Sequence, residues 1–247
     1  MSLSTRPLPL AAAGAHARLW FYPPGLRQAA HSHRDAHVSI IVGGSIRELC
    51  AGRYEIGFGS QLRLRPYEAR HQVEFGPQGA LILAVDVEDI VSRTTASSWV
   101  HRDLSAAQRV LLSWVLAEGV GSDQDVGDCI QDLIAAIETE SLRGSPPLWL
   151  TQARERLIED PANARIAALA RTAGVHRAHF ARSFQYWFKT SPSLFRRRAM
   201  LTRAIAAIAA GERLGAAAYA GGFADQSHLC RTMRTMIGTT PDRLVRL

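Results

Sequence analysis

His31 and His33 are separated by one residue, His37 follows four positions later, and His71 stands further along the same Gly- and Pro-punctuated region. Two residues one apart on an extended strand point the same way, so His31 and His33 can share a pocket. Neutral imidazole is a common ligand for divalent metals. A third nitrogen from a neighbouring strand would complete a three-histidine site for zinc, nickel or iron. The competing role for His31, His33, His37 and His71 is the polar lining of a small-molecule effector pocket, or surface groups near a strand end. Trp20, Tyr22 and Arg47 are candidate walls of the same cavity, although aromatics at strand positions more often serve only a core.

A different chemistry lies near the other end, in the stretch GGFADQSHLCRTMRTMIGTTP that closes at Pro241. Gly222 permits a tight turn at positive φ, and Asp225 can accept backbone N–H groups at the start of a helix. Leu229, Met233 and Ile237 then recur every four residues as one buried stripe, and Gly238 stops the helix. The opposite face carries Gln226, Ser227, Cys230, Arg231 and Arg234. Arg suits guanine edges and Gln suits adenine edges in a DNA major groove. About fifty residues earlier IAALARTAGVHRAHFARSFQYWF repeats the plan, with a turn at Gly174. Val175, Phe180, Phe184 and Trp187 form its apolar side, and Arg177, Ala178, Ala181, Arg182 and Gln185 are left exposed. His179 and His228 each precede an apolar anchor and read as packing or phosphate-contacting groups. His176 stands where a capping Ser is common and is expected to cap poorly.

The elements that must hold these residues follow from periodicity. Leu194 to Ala210 lacks Gly and Pro and is rich in Ala, a continuous helix joining the two helix-turn-helix units. Its first turn carries Arg196, Arg197 and Arg198, either a solvated face or phosphate contacts. Residues 18–90 alternate in short apolar runs broken by Gly and Pro: Trp20–Tyr22, His37 to Val42 ending at Gly43-Gly44, Leu62–Leu64, His71–Phe75 and Leu81–Val87. This pattern predicts a β sandwich or barrel. Helical periodicity replaces it over 105–118 and 126–142, Gly119 to Gly127 separating the two. Gly144-Ser145-Pro146-Pro147 is a linker signal. The fold class is therefore α+β and multidomain: a β-barrel domain over 1–100, a helical linker or dimerisation region over 101–147, and an all-α tandem helix-turn-helix domain over 148–247.

Charge divides along the same line. From Leu150 onward 16 Arg/Lys face 6 Asp/Glu, a net of +10, whereas the preceding residues carry 13 against 16, a net of −3. A basic half behind a slightly acidic one points to double-stranded DNA as partner at one end and something else at the other. Three scattered cysteines and no Cys-x-x-Cys pair indicate neither a disulfide framework nor a cysteine zinc site and suit a reducing, cytoplasmic setting. No run nears 18 uninterrupted apolar residues, so no membrane span is expected. The first fifteen residues, broken by Pro7 and Pro9, read as a flexible arm.

Residues 148–247 resemble the DNA-binding domain of the AraC/XylS transcriptional regulators, in which a linker helix joins two helix-turn-helix subdomains. GFADQSHLCR followed by Gly238, Thr240 and Pro241 carries the resemblance. Lys189 stands where that family commonly has Gly, Met200 where it has Arg, and Met233 where it has Phe. Residues 25–71 resemble the cupin motifs, with His37 in the place of a Glu ligand and Glu68 in the place of a Gly. The resemblances imply a non-enzymatic, effector-modulated regulator of transcription. A small molecule or metal would bind the cupin-like domain, a homodimer is possible, and RNA polymerase is a partner if the protein activates. A metal-dependent cupin enzyme fused to a DNA-binding domain and an architectural DNA-bound protein are the alternative readings.

Overall fold

A computed structural model describes residues 8–10, 14–59, 61–87, 99, 105–117, 119, 122–140 and 146–245. Among them seven antiparallel strands form one sheet: β1 (Leu8–Leu10), β2 (Ala15–Tyr22), β3 (Arg27–His31), β4 (Ala36–Cys50), β5 (Arg53–Phe58), β6 (Leu62–Arg65) and β7 (His71–Val87). β4 and β7 are 15 and 17 residues long and pair along most of their length. Register shifts between Ile41 and Gly43 and between Gly44 and Ile46 bend the pair. On one side of the bend the order is β1-β2-β7-β4-β6, on the other β3-β7-β4-β5. The sheet thus curls on itself into the barrel-like domain that the alternating pattern predicts.

Two expectations change here. Gly43-Gly44 does not end a strand, and His71–Phe75 and Leu81–Val87 are two parts of one strand. Gly44 has φ +79°, and a Cβ there would collide with the Gly79 carbonyl. The glycines let two strands cross at close quarters and bend, where a side chain would force them apart. β3 and β5 escape the periodicity reading because they are short and largely polar. β1 lies inside the expected arm and pairs with β2 as an edge strand, where Pro9 gives up no ladder bond that it needs. Residues 1–7 and 11–13 of the arm, 118 and 120–121 near the expected separator, and 144–145 of the expected linker lie outside the described residues.

One face of the sheet packs on helices. Leu19, Val38, Ile40, Leu62, Leu64, Leu83 and Val85 share a single apolar core with α1 (Ser105–Leu116), α2 (Asp123–Glu140), α6 (Pro192–Ala209), α7 (Leu214–Gly221) and α8 (Gln226–Ile237). A second core joins α3 (Leu148–Glu159), α4 (Ile166–Thr172) and α5 (Arg177–Phe188) to the first half of α6 and to Phe58 of β5. α9 (Pro241–Val245) closes the chain against α6. Twelve of the 18 residues of α6 are buried, and at 1.5 Å per residue the helix spans ~27 Å. Its approach to the sheet needs glycine opposite: a Cβ on Gly43 would lie 2.6 Å from Ile205 Cγ2, and one on Gly59 would overlap Thr202. Apolar packing therefore crosses both boundaries of the expected three-part division. Among the described residues no helix is long and apolar enough to cross a membrane.

Candidate DNA-reading surface and interior histidine site

α5 and α8 are built alike. Phe180, Phe184 and Phe188 are the buried stripe of α5, and Leu229, Met233 and Ile237 that of α8, each set spaced by four as one helical face requires. Arg177, His179, Arg182 and Gln185 on α5 are exposed, as are Gln226, Ser227, Arg231 and Arg234 on α8. His228 is half-buried with its ring edge-on to Phe223, 5.1 Å between centroids, and so packs. Neither free face is turned into the core.

The helix ends are satisfied locally. Asp225 accepts from the His228 N–H at 2.7 Å, and Ser191 caps α6 by accepting from the Leu194 N–H ahead of Pro192. His176, expected to cap poorly, does cap α5: its Nδ1 accepts from the Ala178 N–H at 3.2 Å. Gly222 and Gly238 end α7 and α8 at φ 81° and 71°. Lys189 ends α5 at φ 53°, the left-handed conformation that glycine adopts freely. The lysine offsets the strain by donating from Nζ to the Tyr186 carbonyl and lying over the Tyr186 ring.

The arginine run of α6 divides into three roles. Arg197 is exposed. Arg196 donates from Nε to the Pro161 carbonyl at 2.6 Å and from Nη2 to the Ala162 carbonyl at 2.8 Å, bracing α6 against the turn before α4. Arg198 is buried. The run is thus neither a uniform solvated face nor a uniform phosphate clamp.

The second face of the sheet carries a buried polar patch beside an apolar one. Cross-strand register sets His16, Asp86, His37 and Arg65 in one row, and Arg18, Ala84, Ser39 and Arg63 in the next. The Leu62-Arg63-Leu64-Arg65 alternation therefore sorts two leucines to the helix-packed core and two arginines to the interior, all four buried. Glu48, fully buried, accepts a side-on pair from Arg65, Nε to Oε1 at 2.6 Å and Nη2 to Oε2 at 3.0 Å, and one bond from Arg63 at 3.2 Å. Burial alone would push the Glu48 carboxyl up, but the Arg65 and Arg63 guanidiniums outweigh it and hold it low. Arg65 also donates to Ser39 Oγ, and Arg63 to Glu55. Arg47, a candidate wall, is exposed instead.

All four candidate histidines meet beside this network. His33 and His37 stack with centroids 4.3 Å apart, and His31 and His71 lie 4.3 Å apart. Ligand atoms of His31, His33 and His71 lie within 4.8 Å of one another, as do those of His33, His37 and Asp86. A tetrahedral ion with bonds of about 2.0 Å gathers nitrogens to roughly 3.3 Å, a small closure from that spacing. His31 and His71 use Nδ1 toward the Ala29 and Ala69 carbonyls at 2.8 and 3.1 Å. A carbonyl only accepts, so Nδ1 carries the proton and Nε2 keeps its lone pair. His37 Nδ1 meets Asp86 Oδ1 at 2.5 Å, the imidazole–carboxylate pairing that orients metal-bound histidine. Asp86 is the residue that motif reasoning missed; its signal was one carboxylate in the apolar run ALILAVDV. Glu68, in the place of a motif glycine, has φ 55° and donates its N–H to the His33 carbonyl, tying two loops of the site.

Three of these histidines, His33, His37 and His71, are held toward the neutral form. Burial, then the charges of His37, His71 and Arg65, pushes His33 down to about 3. Burial and Arg65 push His71 down to about 4, and burial lowers His37 against the pull of Asp86. Between about pH 4 and 6.5 the unfolded chain therefore binds more protons at these positions than the folded one, and stability rises with pH. In chelator, the urea midpoint is expected to be highest above pH 6.5 and to fall steadily toward pH 4. A midpoint flat across that range would mean the histidines are not held neutral.

Residues 169–246 match the family model described as a helix-turn-helix domain. None of the curated proteins matches the chain significantly in sequence. Among solved structures, ToxT from Vibrio cholerae O395 is similar over 94% of this chain and 97% of its own, at 12% identity and a TM-score of 0.40. A cupin superfamily protein from Desulfitobacterium hafniense DCB-2 is similar over 36% of this chain and 79% of its own, at 12% identity and a TM-score of 0.32. The DMSP lyase DddQ from Ruegeria pomeroyi DSS-3 is similar over 32% of this chain and 41% of its own, at 17% identity and a TM-score of 0.30. With the caps, turns and exposed basic faces described above, the C-terminal part of the chain carries a helix-turn-helix domain.

Proposed function

We propose that the protein is a transcription regulator whose operator affinity is set by a small molecule or divalent metal held inside the bent sheet. The observation that carries the reading is α6. One helix packs on the sheet through Thr202 and Ile205 and on both helix-turn-helix units through Phe195, Ala199 and Ala204. A ligand that shifts the sheet relative to α6 has a direct mechanical route to the spacing of the two reading helices, and its effect on affinity equals its preference between the two arrangements. His31, His33 and His71 would hold zinc, nickel or iron, with His37 oriented by Asp86. The metal would supply positive charge and open coordination positions for an effector. The setting is cytoplasmic, α1 and α2 offer a surface for a homodimer, and RNA polymerase is the further partner if the protein activates.

Selection of bound fragments from genomic DNA tests the reading, since failure to enrich any duplex sequence would sink it. With an operator in hand, Arg231→Ala is expected to weaken binding by about 1–3 kcal/mol, roughly 5- to 150-fold, and to relax preference at one base pair. Arg197→Ala is expected to weaken all sequences alike and to reduce the salt slope by about 1. The histidine–carboxylate cluster favours one second reading, a metal-dependent enzyme fused to the DNA domain. Stoichiometric metal together with turnover, both lost in His33→Ala, would establish it.

A further inference from the structure

Matching the buried stripes of the two reading helices, Phe180 to Leu229, Phe184 to Met233 and Phe188 to Ile237, pairs the rest of each helix residue for residue. Arg182 then corresponds to Arg231, Ala178 to Ser227, and Ala181 to Cys230. Burial agrees at every pair: Arg182 and Arg231 are exposed, Ala178 and Ser227 are exposed, and Ala181 and Cys230 are half-buried. One framework therefore carries different chemistry around a shared arginine.

The N-terminal part of a reading helix is what reaches base edges. In α8 the arginine has a hydroxyl and a thiol beside it. In α5 it has two methyl groups, which neither donate nor accept a hydrogen bond. Alanine is an ordinary helix former, so its presence alone directs nothing. Its place does. Ala178, Ala181 and Arg182 are spaced i, i+3 and i+4 and so share one face. A base edge pressed on an alanine loses its water there, and a donor or acceptor at that point would be left unpaired. The apolar group that the major groove offers is the C5 methyl of thymine.

We propose that α5 reads thymine methyls with Ala178 and Ala181 beside the base pair held by Arg182, whereas α8 reads none with Ser227 and Cys230. The operator is then two unlike halves in fixed order rather than a repeat, and one chain binds it in one direction. The inference rests on the DNA reading above and gives the first half-site its base chemistry.

The test uses the full chain and a duplex enriched from genomic DNA, with deoxyuridine replacing thymine one position at a time. Arg182→Ala and Arg231→Ala assign the halves, each relaxing preference at one base pair. Deoxyuridine beside the Arg182 position is expected to weaken binding about three- to fivefold, the scale of one methyl group removed from water. Deoxyuridine beside the Arg231 position is expected to change nothing. In Ala178→Ser and Ala181→Ser one of the thymine responses each should vanish, at an unchanged thermal midpoint for the exposed Ala178. Indifference to every deoxyuridine, as when the alanines only make room for bridging water, would overturn the proposal. So would equal losses in both halves, an Arg182→Ala that relaxes no base pair, or responses that survive both serine variants. Failure to enrich any duplex sinks the DNA reading itself, whereas an enriched duplex indifferent to methyl loss sinks this inference alone.

Discussion

Glu48→Ala is expected to destabilise the protein by about 3–5 kcal/mol, because it leaves two buried guanidiniums facing each other without their shared carboxylate. Glu48 is sealed from water, Arg63 and Arg65 are each only a few per cent exposed, and Glu55 pairs with Arg63 alone of these two arginines among the described contacts. At two to four degrees per kcal/mol in a chain of this size, the thermal midpoint should fall by about ten degrees. The loss comes from orphaned charge rather than from a cavity, which a second variant can check. Replacing Glu48, Arg63 and Arg65 together by Met and Leu should recover most of the stability, since buried ion pairs exchange for apolar groups at little net cost. A triple variant as unstable as Glu48→Ala would assign the loss to packing instead.

Arg154→Met is expected to leave the fold and the ligand-free operator affinity largely intact while removing most of the response to ligand. Arg154 belongs to α3, ahead of the first helix-turn-helix unit, yet its Nη2 donates to the Ile56 carbonyl at 3.0 Å and to Gln61 Oε1 at 3.3 Å on either side of the β5–β6 turn. Gln61 Oε1 also accepts the Phe58 N–H. The same short segment holds Glu55 and Arg63, members of the interior network. On its other side the Arg154 guanidinium lies over Phe188, at 5.7 Å from the ring centroid. Burial pulls its pKa down to about 10, so it remains charged at neutral pH. Met can fill the stem volume and keep the ring contact but cannot grip the turn. If allosteric coupling is on the usual scale of about 1–3 kcal/mol, a zinc-dependent change in operator affinity of roughly 5- to 150-fold should shrink toward none. Anisotropy titrations with zinc and with chelator measure it, and an undiminished response would place the coupling elsewhere.

Sequence periodicity read the helical half closely and the sheet only in part, for physical reasons. In α5 and α8 every fourth residue is apolar, caps and stops are single residues with known chemistry, and the contacts that matter lie within a dozen positions. The sheet depends on long-range register. His37 meets Asp86 across 49 positions, and nothing local in ALILAVDV says which face its carboxylate takes. Gly43-Gly44 looks like a stop because glycine is weak in strands. Only the crossing strand shows that the pair bends there. Arg63 and Arg65 alternate with leucine as a solvated strand would, and their burial depends on Glu48 waiting across the sheet. Arg196 depends on long range too: its run reads equally as a solvated face or as phosphate contacts, and nothing local shows that two backbone carbonyls 34 and 35 residues away hold the side chain.

The way α6 is wedged between sheet and reading helices bears on engineering. Exchanging the first half of this protein for that of another protein would bring a new sheet against Thr202 and Ile205, residues matched to the bare backbone of Gly59 and Gly43. A hybrid that ignores this seam would bury mismatched shapes. A usable graft must carry those helix positions with the donor sheet, making the rod, rather than the loop before α3, the proper place to cut and rejoin.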